Sequence, residues 1–379
     1  MSIKKAAFAA AMGTLLMSSA VLAELEVTPY GAAQYRLRFE QTMFMPEEGD
    51  NVSMFDYSNR LCLRMGLRAK WDDKFSMQFQ IGNDWGAAEN VEVEGNGDRS
   101  VRNGQRLYTQ LAFFRYNPGA YFIEAGIVPL NGHGALEFME GSLTRGAGTY
   151  NRAIFNGWGD MNASLPGIKL GMPILKDDFK LGVELTHSIT RARTQSRSEV
   201  NNDGDPQANP SGIMTVLQLP MSSGDFRITP EMVIVFNREV GVVDGDRVGD
   251  HEMAFGAAGS YKINDNVSLT FRGGYAMFSD DNRTDGSPTT APNGFLVGAG
   301  TSIRGIGPGT LQFSIDYSGT DDAERDNADR GHLYTDLRYA MRLHPRVTFT
   351  PRYRTYTTMT PDVSTNLVNR FELILEGSF

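Results

Sequence analysis

Between Tyr57 and Trp71 the chain alternates with a period of two: Tyr57, Leu61, Leu63, Met65, Leu67, Ala69 and Trp71 share one parity, and Arg60, Cys62, Arg64, Arg68 and Lys70 the other. Successive side chains of a strand point to opposite faces, so this segment has one apolar and one cationic side. A helical winding would mix Leu61, Leu63 and Leu67 among the arginines. The segment reads as a strand whose two sides meet different media. The same alternation runs from Leu25 to Glu40, with Val27, Tyr35, Leu37 and Phe39 opposite Glu26, Gln34, Arg36 and Arg38. It returns at the end of the chain, where Leu367, Phe371, Leu373, Leu375 and Phe379 oppose Arg370, Glu372, Glu376 and Ser378.

The connections have a rhythm of their own. Tight clusters of turn-forming residues stand at Asp72-Asp73-Lys74, Asn117-Pro118-Gly119, Lys176-Asp177-Asp178, Ser222-Ser223-Gly224, Asn264-Asp265-Asn266, Gly307-Pro308-Gly309 and His344-Pro345. Between them fall longer polar stretches, at about residues 45–55, 87–104, 131–157, 193–210, 240–250, 280–293, 320–330 and 359–365. Seven short and eight long connections join sixteen strands, with both chain ends on the short-turn side. The count rests on connections, and 14 or 18 strands are the alternatives. Residues 158–174 alternate poorly, and Pro166, Pro173, Pro220, Pro230 and Pro351 fall inside expected strands, where a missing N–H breaks a ladder contact.

Residues 1–23 begin with Lys4 and Lys5, continue through an Ala- and Leu-rich run, and end in Val21-Leu22-Ala23. This is the pattern of a cleaved secretory signal peptide, leaving residues 24–379 as one domain. Without the leader, 34 basic residues (36 less 2) face 45 acidic ones, a formal charge of −11, which argues against a nucleic-acid partner. The single cysteine, Cys62, excludes an internal disulfide. Aromatics flank the short turns: Trp71 and Phe75, Tyr116 and Tyr121, Phe179, Phe226 and Tyr261. Rings with a polar edge collect at a membrane interface, so a girdle is expected at that end.

On the leader, the rhythm of turns and loops, and the final aromatic Phe379, the whole mature chain resembles the general porins of bacterial outer membranes. The fold expected is all-β: a transmembrane antiparallel β-barrel of about 16 strands, with short periplasmic turns and long extracellular loops. The resemblance implies a homotrimer in the outer membrane, in contact with lipid and lipopolysaccharide. It also implies passive diffusion of small hydrophilic solutes and ions through a water-filled lumen. General porins fold their third long loop into the barrel, and residues 131–157, Gly-rich and unusually apolar, are the matching segment.

Arginine or lysine on the lipid face near the midplane costs about 2–4 kcal/mol, so the apolar parity must face outward. That places Arg36 and Arg38 on the first strand inside the lumen, with Arg60, Arg64 and Arg68 on the second. Arg338, Arg342, Arg352, Arg354 and Arg370 come from the last three strands, which closure brings beside the first two. Glu137 and Glu140 of the third loop are expected to oppose this wall and set a transverse field. Glu26, Glu40, Asp336, Glu372 and Glu376 lie on the same strands and offer the other reading, cross-strand neutralisation of the arginines.

Enzymatic chemistry has little support: His133, His187, His251, His332 and His344 are scattered, and no nucleophile signature accompanies them. No cofactor is expected, and the acidic loops lack a complete ligand pattern for a metal. The rival reading is a structural or adhesive outer-membrane barrel with an occluded lumen.

Overall fold

The computed structural model describes residues 25–83, 92–93, 99–100, 107–129, 164–176, 179–191, 211–243, 246–278, 293–321, 331–360 and 364–379. Residues 1–24, where the signal peptide is expected, and most of the expected long loops, residues 131–157 among them, lie outside the described residues. Sixteen antiparallel strands form a single sheet that closes on itself. In chain order they are β1 (Glu26–Pro46), β2 (Val52–Lys70), β3 (Phe75–Asn83), β4 (Leu107–Tyr116), β5 (Phe122–Pro129), β6 (Ser164–Lys176), β7 (Phe179–Arg191) and β8. β8 is made of two pieces, Ser211–Gln218 and Met221–Ser223, which lie end to end between β7 and the next strand. The rest are β9 (Phe226–Val243), β10 (Asp246–Lys262), β11 (Val267–Phe278), β12 (Asn293–Ile306), β13 (Gly309–Asp321), β14 (Gly331–His344), β15 (Val347–Thr360) and β16 (Ser364–Ser378). A small ribbon of Glu92–Val93 with Arg99–Ser100 lies in the connection between β3 and β4.

The seam is made by β1, which pairs with β2 on one side and β16 on the other: Arg38 stands opposite Ser58 and opposite Glu372. At the short-turn rim, Gly31 and Phe379 exchange both backbone hydrogen bonds at 3.0 Å. The Phe379 ring lies over Gly31, in the space where any Cβ would stand. The absence of a side chain at residue 31 thus seats the last aromatic.

Burial is inverted relative to a soluble protein. Tyr35, Leu61, Met65, Leu170, Phe255, Phe371 and Leu375 are exposed, whereas Gln34, Arg38, Lys169, Glu231, Arg370 and Glu372 are buried. Such a surface is stable only where apolar groups meet lipid, and there a closed barrel pairs every backbone group. Strands of 12 to 21 residues in the contiguous β9–β16–β1–β2 wall exceed the nine to eleven that a tilted crossing needs. At the short-turn end Phe75 packs on Tyr116 at 4.7 Å, Tyr116 on Tyr121 at 6.2 Å and Phe226 on Phe271 at 5.9 Å. These rings, with exposed Phe179 and Tyr261, form the expected girdle.

Three connections expected to be long are short. Five residues join β1 to β2, two join β9 to β10 and three join β15 to β16. The polar residues around 45–55, 240–250 and 359–365 belong largely to strand ends that project past the apolar belt. There neither face needs to be apolar, so alternation disappears although pairing continues. The poorly alternating segment 158–174 contributes most of β6, whose Ile168, Leu170, Met172 and Ile174 face outward. Its inward residues are Gly167, Lys169, Gly171 and Pro173, which is why no polar face was visible. Of the prolines, Pro220 interrupts β8, and beside Pro351 the β14–β15 ladder passes from Arg338↔Arg352 to Met341↔Phe349. Pro230 keeps its place opposite Ala257, and its carbonyl accepts from Leu219 N–H at 2.9 Å.

Candidate functional site

The inward faces of β14, β15, β16, β1 and β2 carry a network of arginine–carboxylate pairs. Glu372, with a fully buried side chain, lies at its centre, and Arg36 (3.6 Å), Arg38 (2.9 Å) and Arg354 all reach it. Arg352 donates twice to Asp336, from Nε at 2.9 Å and Nη2 at 2.6 Å, in the fork geometry that suits a carboxylate. Arg370 donates to Glu40 from Nε at 2.7 Å and to the Tyr356 hydroxyl from Nη1 at 2.9 Å. The Tyr356 ring also lies 4.9 Å from the Arg370 guanidinium. Gln34 donates to Glu376 at 2.9 Å and accepts from Arg36 at 3.1 Å.

Strand lean decides the pairing. In register, Arg352 stands opposite Glu372, and Arg354 opposite Asp336 and Arg370. The bonds run diagonally instead: Arg352 to Asp336 and Arg354 to Glu372. Side chains lean along their strands, and diagonal neighbours are within reach of a long side chain. Among the described residues five guanidiniums thus bond to three carboxylates, Glu40, Asp336 and Glu372, which ties each member into a network.

The remaining expected residues are placed as follows. Arg64 is inward and half-buried, and Arg68 lies over the Tyr30 ring at 4.8 Å. Arg60 stands opposite Arg36 in the ladder, and its side chain is outside the described residues. Arg338 is exposed on the inner surface, and Arg342, at the short-turn rim, donates to the Pro345 carbonyl at 2.9 Å. Glu26 is opposite Lys70 at that rim. Glu137 and Glu140 lie outside the described residues.

The other side of the lumen holds charges that the sequence reading did not single out. Arg115 donates to Glu124 at 2.9 Å, Lys169 meets Glu184 at 3.1 Å and donates to the Pro129 carbonyl, and Gln218 donates to Glu231 at 2.5 Å. Lys169, Glu124 and Glu231 are all buried. Glu124 in β5, Lys169 in β6 and Glu231 in β9, each a charge between apolar neighbours, were the signal available in the sequence. Farther round, Arg272 on β11 reaches Asp316 on β13 across the intervening β12. It can do so because residue 298 is glycine: a Cβ there would stand on the Asp316 carboxylate.

Between these features the short-turn half of the lumen encloses a cavity of about 880 Å³, bounded by β4 through β14. Lys180, Arg227 and Arg338 reach it, with Thr270, Gln312 and Ser314. Among the described residues no cluster of three or more His, Cys, Asp or Glu side chains could hold a metal ion.

No family model matches the chain, and no curated protein matches it in sequence. Solved structures do match in fold. An anion-selective porin from Comamonas acidovorans aligns over 94% of this chain and 100% of its own, at 11% identity and a TM-score of 0.57. OmpF of Salmonella typhi in complex with daunomycin aligns over 94% and 98%, at 14% identity and 0.55. The trimer form of OmpT, an outer membrane protein of Vibrio cholerae, aligns over 94% and 99%, at 12% identity and 0.55. The fold of this chain is therefore that of the outer-membrane porins, a closed sixteen-stranded antiparallel barrel.

Proposed function

We propose that the chain is an outer-membrane channel for passive diffusion of small hydrophilic solutes and ions. The observation that carries this reading is the closed barrel of sixteen strands with apolar residues outward and charged residues inward. A barrel of that size is too wide for its own side chains to fill, which leaves an aqueous path. The ten arginines named above, Arg36 to Arg370, line it. The surplus of guanidinium over carboxylate on the β14–β2 wall supplies a preference for anions, and residues 131–157, with Glu137 and Glu140, narrow the passage. Residues 1–23 direct export and are removed. A homotrimer in contact with lipid and lipopolysaccharide is the assembly proposed, in keeping with the trimer form described for the OmpT structure.

Reconstitution in planar bilayers tests the reading: discrete, steady conductance steps are expected. Replacing Arg36, Arg64 and Arg352 with glutamine should shift the reversal potential toward cations, and an unchanged potential would remove them from selectivity. One observation favours the alternative, a structural or adhesive barrel with an occluded lumen: Arg354, Arg370 and Glu372 are at most 4% exposed. That alternative gives no steady current.

A further inference from the structure

The cavity of about 880 Å³ in the short-turn half is lined on its charged side by Lys180, Arg227, Arg338, Arg115, Arg272, Glu184 and Asp336. Four of these are already engaged: Arg115 with Glu124, Arg272 with Asp316, Glu184 with Lys169 and Asp336 with Arg352. Lys180, Arg227 and Arg338 are exposed, and none of them has an ion-pair partner among the described residues. Both carboxylates of the lining are therefore held by cations from outside this set, and the three remaining cations face water. The arginines of the β14–β2 network are each bonded to a carboxylate, whereas among the described residues no ion pair reaches these three cations, and only Asp336 acts on Arg338 through space.

The register gives the group a shape. Ser222 stands opposite Lys180 on one side and Arg227 on the other, so the two cations flank a hydroxyl across three adjacent strands. Adjacent strands lie about 4.8 Å apart, which puts the Lys180 and Arg227 backbones roughly 10 Å from each other. From Arg227 the same row continues through Ser260, Thr270, Gly300 and Ser314 to Asp336. A parallel row leads from Arg338 through Gln312 to Ser302. A floor of hydroxyls and one carboxamide thus lies between Lys180 with Arg227 at one edge and Arg338 at the other.

We propose that this half of the lumen is a docking site for small multivalent oxyanions. Guanidinium forks match pairs of oxygen atoms on phosphate or carboxylate, lysine adds a mobile point charge, and hydroxyls donate to the remaining oxygens. A monovalent chloride satisfies one cation, whereas a phosphate at the Lys180–Arg227 edge can meet two, with Arg338 adding attraction from the far side five strands away. Cationic solutes meet repulsion, and neutral ones gain only the hydroxyls. The cavity volume suits a solute of a few to a few tens of heavy atoms. Access from the membrane exterior rests on the channel reading.

The test uses the full mature protein in planar bilayers, with inorganic phosphate added to either side of a potassium chloride solution at pH 8. Phosphate should lower the chloride current, and at lower concentration when added from the short-turn side. The variant Lys180→Gln/Arg227→Gln/Arg338→Gln should raise the half-effect concentration about tenfold or more, the low end for a focused charge cluster. Lys74→Gln, on the β2–β3 turn, should leave it in place. An equal half-effect concentration in wild type and triple variant overturns the site. Should the triple variant not assemble, Lys180→Gln and Arg227→Gln singly, both at the exposed rim, decide the matter by the same comparison. A wild-type protein that passes no chloride refutes the channel reading alone; calorimetric titration of inorganic phosphate into detergent-solubilised wild type and variants then decides the site.

Discussion

Glutamine at position 372 is the sharpest single perturbation of the barrel wall. Glu372→Gln keeps the volume and one hydrogen-bond acceptor, and removes a charge whose side chain is fully buried beneath Arg36, Arg38 and Arg354. At the 2.9 Å of the Arg38 contact, the gross Coulomb attraction is about 6 kcal/mol for an effective dielectric near 20, before desolvation offsets most of it. Removing one partner of a buried pair typically costs 3–5 kcal/mol, because the charge left behind is uncompensated. Here three guanidiniums are left, so the upper part of that range is expected. Replacing a single arginine should cost less, since the carboxylate keeps two partners. The order of destabilisation is therefore Glu372→Gln first, then Arg38→Gln and Arg354→Gln at roughly half that cost or less. Urea unfolding in lipid vesicles, followed by tryptophan fluorescence and by gel mobility with and without heating, measures all three. A Glu372→Gln barrel within about 1 kcal/mol of wild type, or one no less stable than Arg38→Gln, would refute the network as drawn.

Gly298→Val places a side chain on the Asp316 carboxylate and must part it from Arg272. A loss of roughly 2–4 kcal/mol is expected by vesicle unfolding, and much less in an Arg272→Met/Asp316→Leu background, where no buried pair remains to be broken. Ile168→Arg, on the outward face of β6, should cost about 2–4 kcal/mol or abolish heat-modifiable folded protein if that strand lies in its stated register. The turn pairs Lys70–Asp73 and Lys262–Asp265 hold both aspartate carboxyls below their ordinary range, through the lysine hydrogen bond and charge. A depressed carboxyl adds stability above its unfolded value of about 3.9 and loses it as pH falls through the folded value. The small thermal difference between wild type and Asp73→Asn/Asp265→Asn should therefore be constant from pH 7 to 5 and vanish at more acid pH.

The barrel was legible because lipid imposes a strict rule on alternate residues. Where the rule applies to both parities, as in Tyr57–Trp71, faces and register followed from the sequence. In β6 only the outward half obeys it: Gly167, Lys169, Gly171 and Pro173 carry no common polarity, and the strand looked irregular. Beyond the apolar belt the rule lapses, which is how the hairpins near 45–55 and 240–250 came to be read as loops. The shared parity of the arginines on β14 to β2 was visible, and so was that of the carboxylates among them. Who pairs with whom was not, since Arg352 and Arg354 exchange their register partners through side-chain lean. The three cavity cations outside its ion pairs, Lys180, Arg227 and Arg338, sit on β7, β9 and β14, and only closure brings those strands to one space.

The seam between β1 and β16 joins residues 32–46 to residues 364–378, partners separated by nearly the whole chain. Loop-closure entropy grows only with the logarithm of length, about 0.6 kcal/mol per doubling, so the finished seam carries little thermodynamic handicap. Its handicap is in time, because contacts so distant in sequence form slowly. Until they form, β1 and β16 are two open edges, each with a row of unsatisfied donors and acceptors able to template another chain. A substitution that weakens the seat of Phe379 over Gly31 should accordingly appear as mispaired or aggregated protein during assembly, more than as a barrel that melts early once sealed.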